Sequence, residues 1–196
     1  MKFVLATLNP GKIREMSGIL SEFNIDIVTR KDIGVDLDVK ETGSTFKENA
    51  LIKARAIRDL SGMPSIADDS GLIVEALGGA PGLFSSDFGG EGLTDDERCA
   101  FLLKKMENVE HRSAKFVCTV ICAFPNGEIL SAEGECHGYI ADFSRGSGGF
   151  GYDPIFLVKN TGRTMSELSP EEKNEISHRG LALRKFAMLL REREAF

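Results

Sequence analysis

FVCTVICAF (116–124), PNGE (125–128) and ILSAEGE (129–135) together decide the architecture of this 196-residue chain. The first flank is apolar and rich in β-branched residues, the second opens on Ile129-Leu130, and the Asn126-Gly127 pair between them is a strong hairpin signal. One strand pair is therefore antiparallel. Helical and extended patterns alternate on either side of it, so the expected fold is α/β with a mixed sheet rather than a purely parallel one.

Upstream, Lys2–Leu8 reads as a buried strand. Asn9 is placed to cap the next helix, with Pro10 at its first position and Ile13, Met16 and Leu20 on its apolar face. Ile25–Thr29 reads as a second strand. Thr45 and Glu48 form a capping box for a helix striped with Phe46, Ala50, Ala54 and Ile57 and reaching Leu60. Two short strands, Ser65–Asp68 and Leu72–Ala76, are expected to flank a polar turn at Asp68-Asp69-Ser70-Gly71. Thr94 and Glu97 open a helix running to about Met106.

Downstream of the hairpin, the glycine-rich Arg145–Gly151 leads into a strand at Ile155–Val158. Ser169, Pro170 and Glu172 cap a short helical stretch, and Ser177 caps a last helix with Leu181, Phe186, Leu189 and Leu190 expected on its buried side. No internal repeat or linker interrupts the pattern.

With 24 Lys+Arg against 30 Asp+Glu the formal charge is −6, which argues against a general nucleic-acid or membrane-surface binder. No apolar run approaches the ~18 residues of a membrane span. The N-terminal apolar run is too short for a secretory signal, so a cytoplasmic location is expected. Cys99, Cys118, Cys122 and Cys136 form no C-x-x-C pair and no zinc spacing with histidine, and read as buried free thiols.

Several segments carry chemistry. Thr7-Leu8-Asn9-Pro10-Gly11-Lys12 is a strand-to-helix turn that aims helix N–H groups and one cation at a single spot, as a triphosphate requires, though a routine cap beside a solvated lysine has the same sequence. Gly146, Gly148 and Gly151 satisfy G-x-G-x-x-G, but a strand rather than a helix follows, so the dinucleotide fingerprint is rejected. Asp68 and Asp69 are adjacent acids whose side chains diverge if extended, so one of them enters a given site. Glu41 is a second candidate metal ligand, and Lys53 reads either as a phosphate contact or as a surface charge.

In order, TLNPGK (7–12), ETGSTF (41–46), ADDSGL (67–72), GGAPG (78–82), GFGYDPIF (149–156), ELSPEEKN (167–174) and SHR (177–179) resemble the inosine triphosphate pyrophosphatase family, whose bacterial members are XTP/dITP diphosphatases. The resemblance runs from Phe3 to about Phe186. It implies a single domain over 1–196, with a mixed elongated sheet and flanking helices forming two lobes around a central cleft. It further implies a homodimer and Mg²⁺-dependent hydrolysis of ITP, dITP and XTP to monophosphate and pyrophosphate, clearing deaminated purines from the nucleotide pool.

By matching position, Asp69 is the catalytic acid, and Glu41 and Asp69 hold the metal. Substrate contacts fall on Thr7, Leu8, Asn9, Pro10, Gly11 and Lys12, on Lys53 and on Ser70. Base-side contacts fall on Phe150, Gly151, Tyr152, Asp153, Lys173, His178 and Arg179. Two departures stand out: Asp87 where many relatives carry arginine, and Ser144 where proline is common. The purine is read by a donor such as Arg179 or a backbone N–H, which favours a 6-oxo over a 6-amino group, with Phe150 stacking on the ring.

Overall fold

β1 (Lys2–Leu5) has a parallel neighbour on each side, β2 (Asp26–Thr29) and β3 (Ser65–Val74). Three further strands, β4 (Ser113–Ala123), β5 (Ile129–Ile140) and β6 (Phe156–Val158), complete a six-stranded sheet in the order β2-β1-β3-β4-β5-β6. β6 runs antiparallel to β5 while β1 is parallel to both of its neighbours, so the sheet is mixed, as expected. The turn after β4 closes with Phe124 N–H donating to Glu128 O and Gly127 N–H donating to Phe124 O. The helices are α1 (Pro10–Glu22), α2 (Phe46–Ser61), α3 (Asp95–Lys105), α4 (Pro170–Ile176) and α5 (His178–Glu194). The structure, a computed structural model, describes residues 1–194.

The chain divides into two compact units. The first comprises Met1–Asp69, Cys118–Gly134 and the stretch from His178, and the second comprises Ser70–Val117 and Glu135–Ser177.

In the first unit the sheet is buried on both faces, and strand alternation sorts its side chains. Phe3 and Leu5 pack with Met16, Ile19 and Leu20 of α1 and with Ala182, Leu183, Phe186 and Leu190 of α5. Val4 and Ala6 pack the other way, with Ala50, Ala54 and Ile57 of α2. β3 repeats the alternation, Ile66 on the α1/α5 face and Ala67 on the α2 face. The second unit has its own core, in which Leu72 and Val74 meet Cys99 and Leu102 of α3 and the rings of Phe116 and Phe156 lie 4.6 Å apart.

The expected elements all form, with four corrections. β3 is one continuous strand, so Asp68-Asp69-Ser70-Gly71 is not a turn; the buried acids find charged partners on both faces, which lets a polar run stay extended. β1 stops at Leu5, and Leu8 is 53% exposed. Leu181 lies on the outer face of α5, and Ala182, Leu183, Phe186, Ala187 and Leu190 are the buried set, at helical spacing. Thr45 does cap α2 through Glu48 N–H, but the Glu48 carboxylate turns to Ser44 N–H and Oγ instead of closing the box on Thr45. Thr94 and Ser169 make complete capping boxes. All four cysteines are free and buried.

Candidate functional site

The turn after β1 is organised by Asn9. Its Oδ1 accepts from Gly11 N–H at 2.8 Å and Lys12 N–H at 3.1 Å, and its own N–H donates to Thr7 Oγ1 at 3.1 Å. Asn9 thus takes up two of the N–H groups that the sequence offered to a phosphate chain, and the turn's remaining charge is the ammonium of Lys12. Leu8, Asn9 and Pro10 are exposed, so the turn opens to solvent.

Lys12 Nζ lies 3.0 Å from Asp68 Oδ2, which Arg179 Nε also reaches at 3.2 Å. Arg179 Nη1 pairs with Glu15 Oε2 at 2.5 Å, so α1 and α5 are stitched together through Asp68 on one face of β3. Burial opposes ionisation of Asp68, but Lys12, then Arg179 and Lys53, outweigh it and hold the carboxyl well below the ordinary range. Behind it, burial and the Asp68 charge push the Cys118 thiol up to about 12, which makes it an inert neighbour.

Asp69 faces α2. Its Oδ1 accepts from Lys53 Nζ at 3.1 Å and its Oδ2 from Asn49 Nδ2 at 3.2 Å. Glu41 Oε2 also lies 3.0 Å from Lys53 Nζ, so two carboxylates converge on one ammonium. Burial, with Glu41 as a lesser cause, raises the Asp69 carboxyl despite Lys53 and Lys12. For Lys53 burial works the other way, yet Asp69, Asp68 and Glu41 raise the ammonium overall. Lys53 is no surface charge: its side chain is 13% exposed.

A second group lies within the second unit. Phe150 N–H donates to Asp153 Oδ2 at 2.9 Å, Lys173 Nζ pairs with the same oxygen, and that ammonium sits 4.9 Å from the centre of the Phe150 ring. Gly149, at φ +75°, has no room for a side chain, because a Cβ would lie 2.0 Å from Asp153 Oδ2. Gly151 N–H donates to Asp95 Oδ2 at 2.7 Å, and Tyr152 Oη donates to Ser85 O at 2.9 Å. Tyr152 and Asp153 are buried and committed, the first to Ser85 and the second to Phe150 and Lys173, whereas Phe150 and Gly151 are half-open.

The first unit therefore holds two groups, Lys12 and Arg179 on Asp68 at one face of β3 and Glu41 and Lys53 on Asp69 at the other, and the second unit gathers Phe150, Gly151, Tyr152, Asp153 and Lys173. Ser70 follows Asp69 in β3 and is half-buried. His178 is buried at the start of α5, where a side chain on Gly134 of β5 would come within 2.3 Å of its carbonyl oxygen. Asp87, the departure in charge, is exposed and takes a bond from Ser86 Oγ at 3.2 Å. Sequence reasoning missed Asn49 and Glu15. Asn49 lies four residues before Lys53 on α2 and Glu15 three after Lys12 on α1, so each shares a helix face with a lysine that the sequence did single out.

Comparison with known proteins places the chain in a family. The Ham1 family profile matches residues 3–189. A dITP/XTP pyrophosphatase from Bacillus licheniformis is 47% identical over 189 residues, spanning 95% of this chain and 96% of its own. One from Escherichia coli is 47% identical over 187 residues, 93% of this chain and 94% of its own. The structure of a HAM1 protein from Coxiella burnetii superposes with a TM-score of 0.89 at 44% identity, covering 98% of this chain and 99% of that one. The Ham1 protein of Staphylococcus aureus gives 0.88 at 39%, over 98% of this chain and all of that one. A near full-length profile match and these identities lead to one conclusion: the chain belongs to the Ham1 family.

Proposed function

We propose that this protein hydrolyses dITP, XTP and ITP to the nucleoside monophosphate and pyrophosphate, removing deaminated purine nucleotides before they are used. The observation that carries the reading is the convergence of Glu41 and Asp69 on Lys53 in the unit that also holds Lys12 beside an open turn. Relatives named dITP/XTP pyrophosphatase, matched over nearly the whole chain, support the same activity.

The donor set fits a divalent ion. Mg²⁺ is commonly held by one or two carboxylates together with substrate phosphate oxygens. Glu41 and Asp69 supply such a pair, already gathered around a positive charge, and among the described residues no cluster of three or more His, Cys, Asp or Glu forms a cage of protein ligands alone. Bound there, Mg²⁺ would screen the phosphate charge and stabilise the departing pyrophosphate. Lys12 and Lys53 neutralise the triphosphate. Asp69 orients the water that attacks the α-phosphorus, and positioning contributes more than proton abstraction for a carboxylate that also faces a cation. Thr7–Pro10, Gly11 and Ser70 line the phosphate side.

On the base side, Phe150 stacks on the purine beside Gly151, Tyr152, Asp153 and Lys173. His178 and Arg179 supply the polar edge, with Arg179 donating to the 6-oxo group. A 6-amino group presents a second donor to that edge where the 6-oxo group presents an acceptor, which disfavours adenine. A homodimer and a cytoplasmic location belong to the same proposal, and light scattering tests the first.

A substrate panel tests the function: pyrophosphate release from dITP, XTP, ITP, ATP and GTP, with and without Mg²⁺. The reading expects fast release from the first three and little from ATP, and only with the metal. Equal turnover of ATP would contradict it.

A further inference from the structure

We propose that Asn49 is a positioning residue for the reaction: it fixes the plane of the Asp69 carboxylate and locks the turn that carries Glu41 against it. The inference rests on the role given above to Asp69. Asn49 lies in the first turns of α2 and is 5% exposed, a buried amide among Ala50, Ala54 and Ile57. Both ends of that amide are used. Oδ1 accepts from Gly43 N–H at 2.8 Å, and Nδ2 donates to Asp69 Oδ2 at 3.2 Å.

The chemistry of the two partners selects this side chain. Gly43 N–H offers only a donor, so it needs an acceptor, and the ionised Asp69 offers only acceptors, so it needs a donor. An amide presents one of each, 2–3 Å apart, in a single orientation. Aspartate in its place would face Asp69 with a second negative charge, and leucine would leave both partners unsatisfied.

The contact is close as well as specific. A Cβ on Gly43 would lie 2.6 Å from Glu48 Cβ and 2.7 Å from Asn49 Oδ1, so the turn two residues past Glu41 is seated directly on the amide. Asn49 and Lys53, one helical turn apart, then address the two oxygens of Asp69 separately, Oδ2 and Oδ1. Two donors from one helix leave the carboxylate little freedom to rotate. A water-orienting carboxylate needs that, since a misplacement of about 1 Å can cost on the order of a hundredfold in rate.

The test compares Asn49→Ala with Asn49→Leu, the first removing volume and hydrogen bonds, the second restoring volume alone. Steady-state kinetics on dITP, thermal midpoints and exchange of the Gly43 amide are measured for both. The expected result is a kcat lower by roughly tenfold or more in each variant, with KM within about threefold. Both should retain cooperative unfolding, and both should lose protection of the Gly43 amide. Recovery of wild-type kcat in the leucine variant would show that Asn49 only fills space, and wild-type kcat in the alanine variant would remove it from the reaction; either overturns the proposal. If one variant fails to fold, the other decides. Absence of turnover by wild type on any triphosphate would instead sink the proposed function, while the Gly43 exchange would still report whether the clamp exists.

Discussion

Asp68 and Asp69 are consecutive in β3, yet they serve opposite faces of the sheet: Lys12 of α1 meets Asp68 at 3.0 Å, and Lys53 of α2 meets Asp69 at 3.1 Å. Strand alternation makes this division unavoidable once Ile66 and Ala67 are packed on their respective sides. Two cations from two helices are thereby anchored to one strand. Asp68 is closed off behind Lys12 and Arg179, whereas Asp69 keeps the company of Glu41, whose side chain is 41% exposed.

The Asp69→Asn variant should lose at least about a hundredfold in kcat while staying folded, because the amide keeps the size of the side chain but adds a donor toward Lys53 and loses the charge. Pyrophosphate release together with a thermal melt checks this. Activity near wild type would remove Asp69 from the reaction.

Acid should expose the contribution of Asp68. Its carboxyl is held below the ordinary value in the folded protein, so as pH falls the unfolded chain takes up the proton first. The stability it adds is then complete above about pH 5 and is lost progressively as pH falls below the usual carboxylate range. The gap in thermal midpoint between wild type and Asp68→Asn should be widest near neutrality and narrow toward pH 2. A constant gap contradicts the assignment.

Arg179→Ala breaks a buried pairing with Asp68 and Glu15, a change that costs about 3–5 kcal/mol when a partner charge is left behind. The variant should melt earlier, and where it remains folded its preference for ITP over ATP should narrow. An unchanged preference would move base reading to another group.

The thiols should be silent in the native state. Burial pushes Cys99, Cys118 and Cys122 up to about 12, and Cys136 to about 11. A thiol reagent at about pH 8 should label the folded protein slowly and all four cysteines rapidly in denaturant. Fast stoichiometric labelling of the folded form would contradict their burial.

Local signals read directly from the sequence include the caps at Asn9, Thr94 and Ser169 and the turn at Asn126-Gly127, because each depends on residues within four positions. The continuous strand through Asp68 and Asp69 was not legible. Four polar or small residues in a row look like a turn, and only partners distant in sequence, Lys12, Lys53 and Arg179, make the extended form stable. Asn49 was hidden for the same reason: one asparagine on a helix is unremarkable until Gly43 and Asp69 are found at the two ends of its amide. The burial of Tyr152 likewise depends on Ser85, far upstream.

Hydrolysis of dITP in ¹⁸O-labelled water tests the central claim most directly, because it reports which phosphorus the Asp69-directed water attacks. The account predicts the label in the nucleoside monophosphate and unlabelled pyrophosphate. Label in the pyrophosphate, or release of inorganic phosphate in its place, would contradict it.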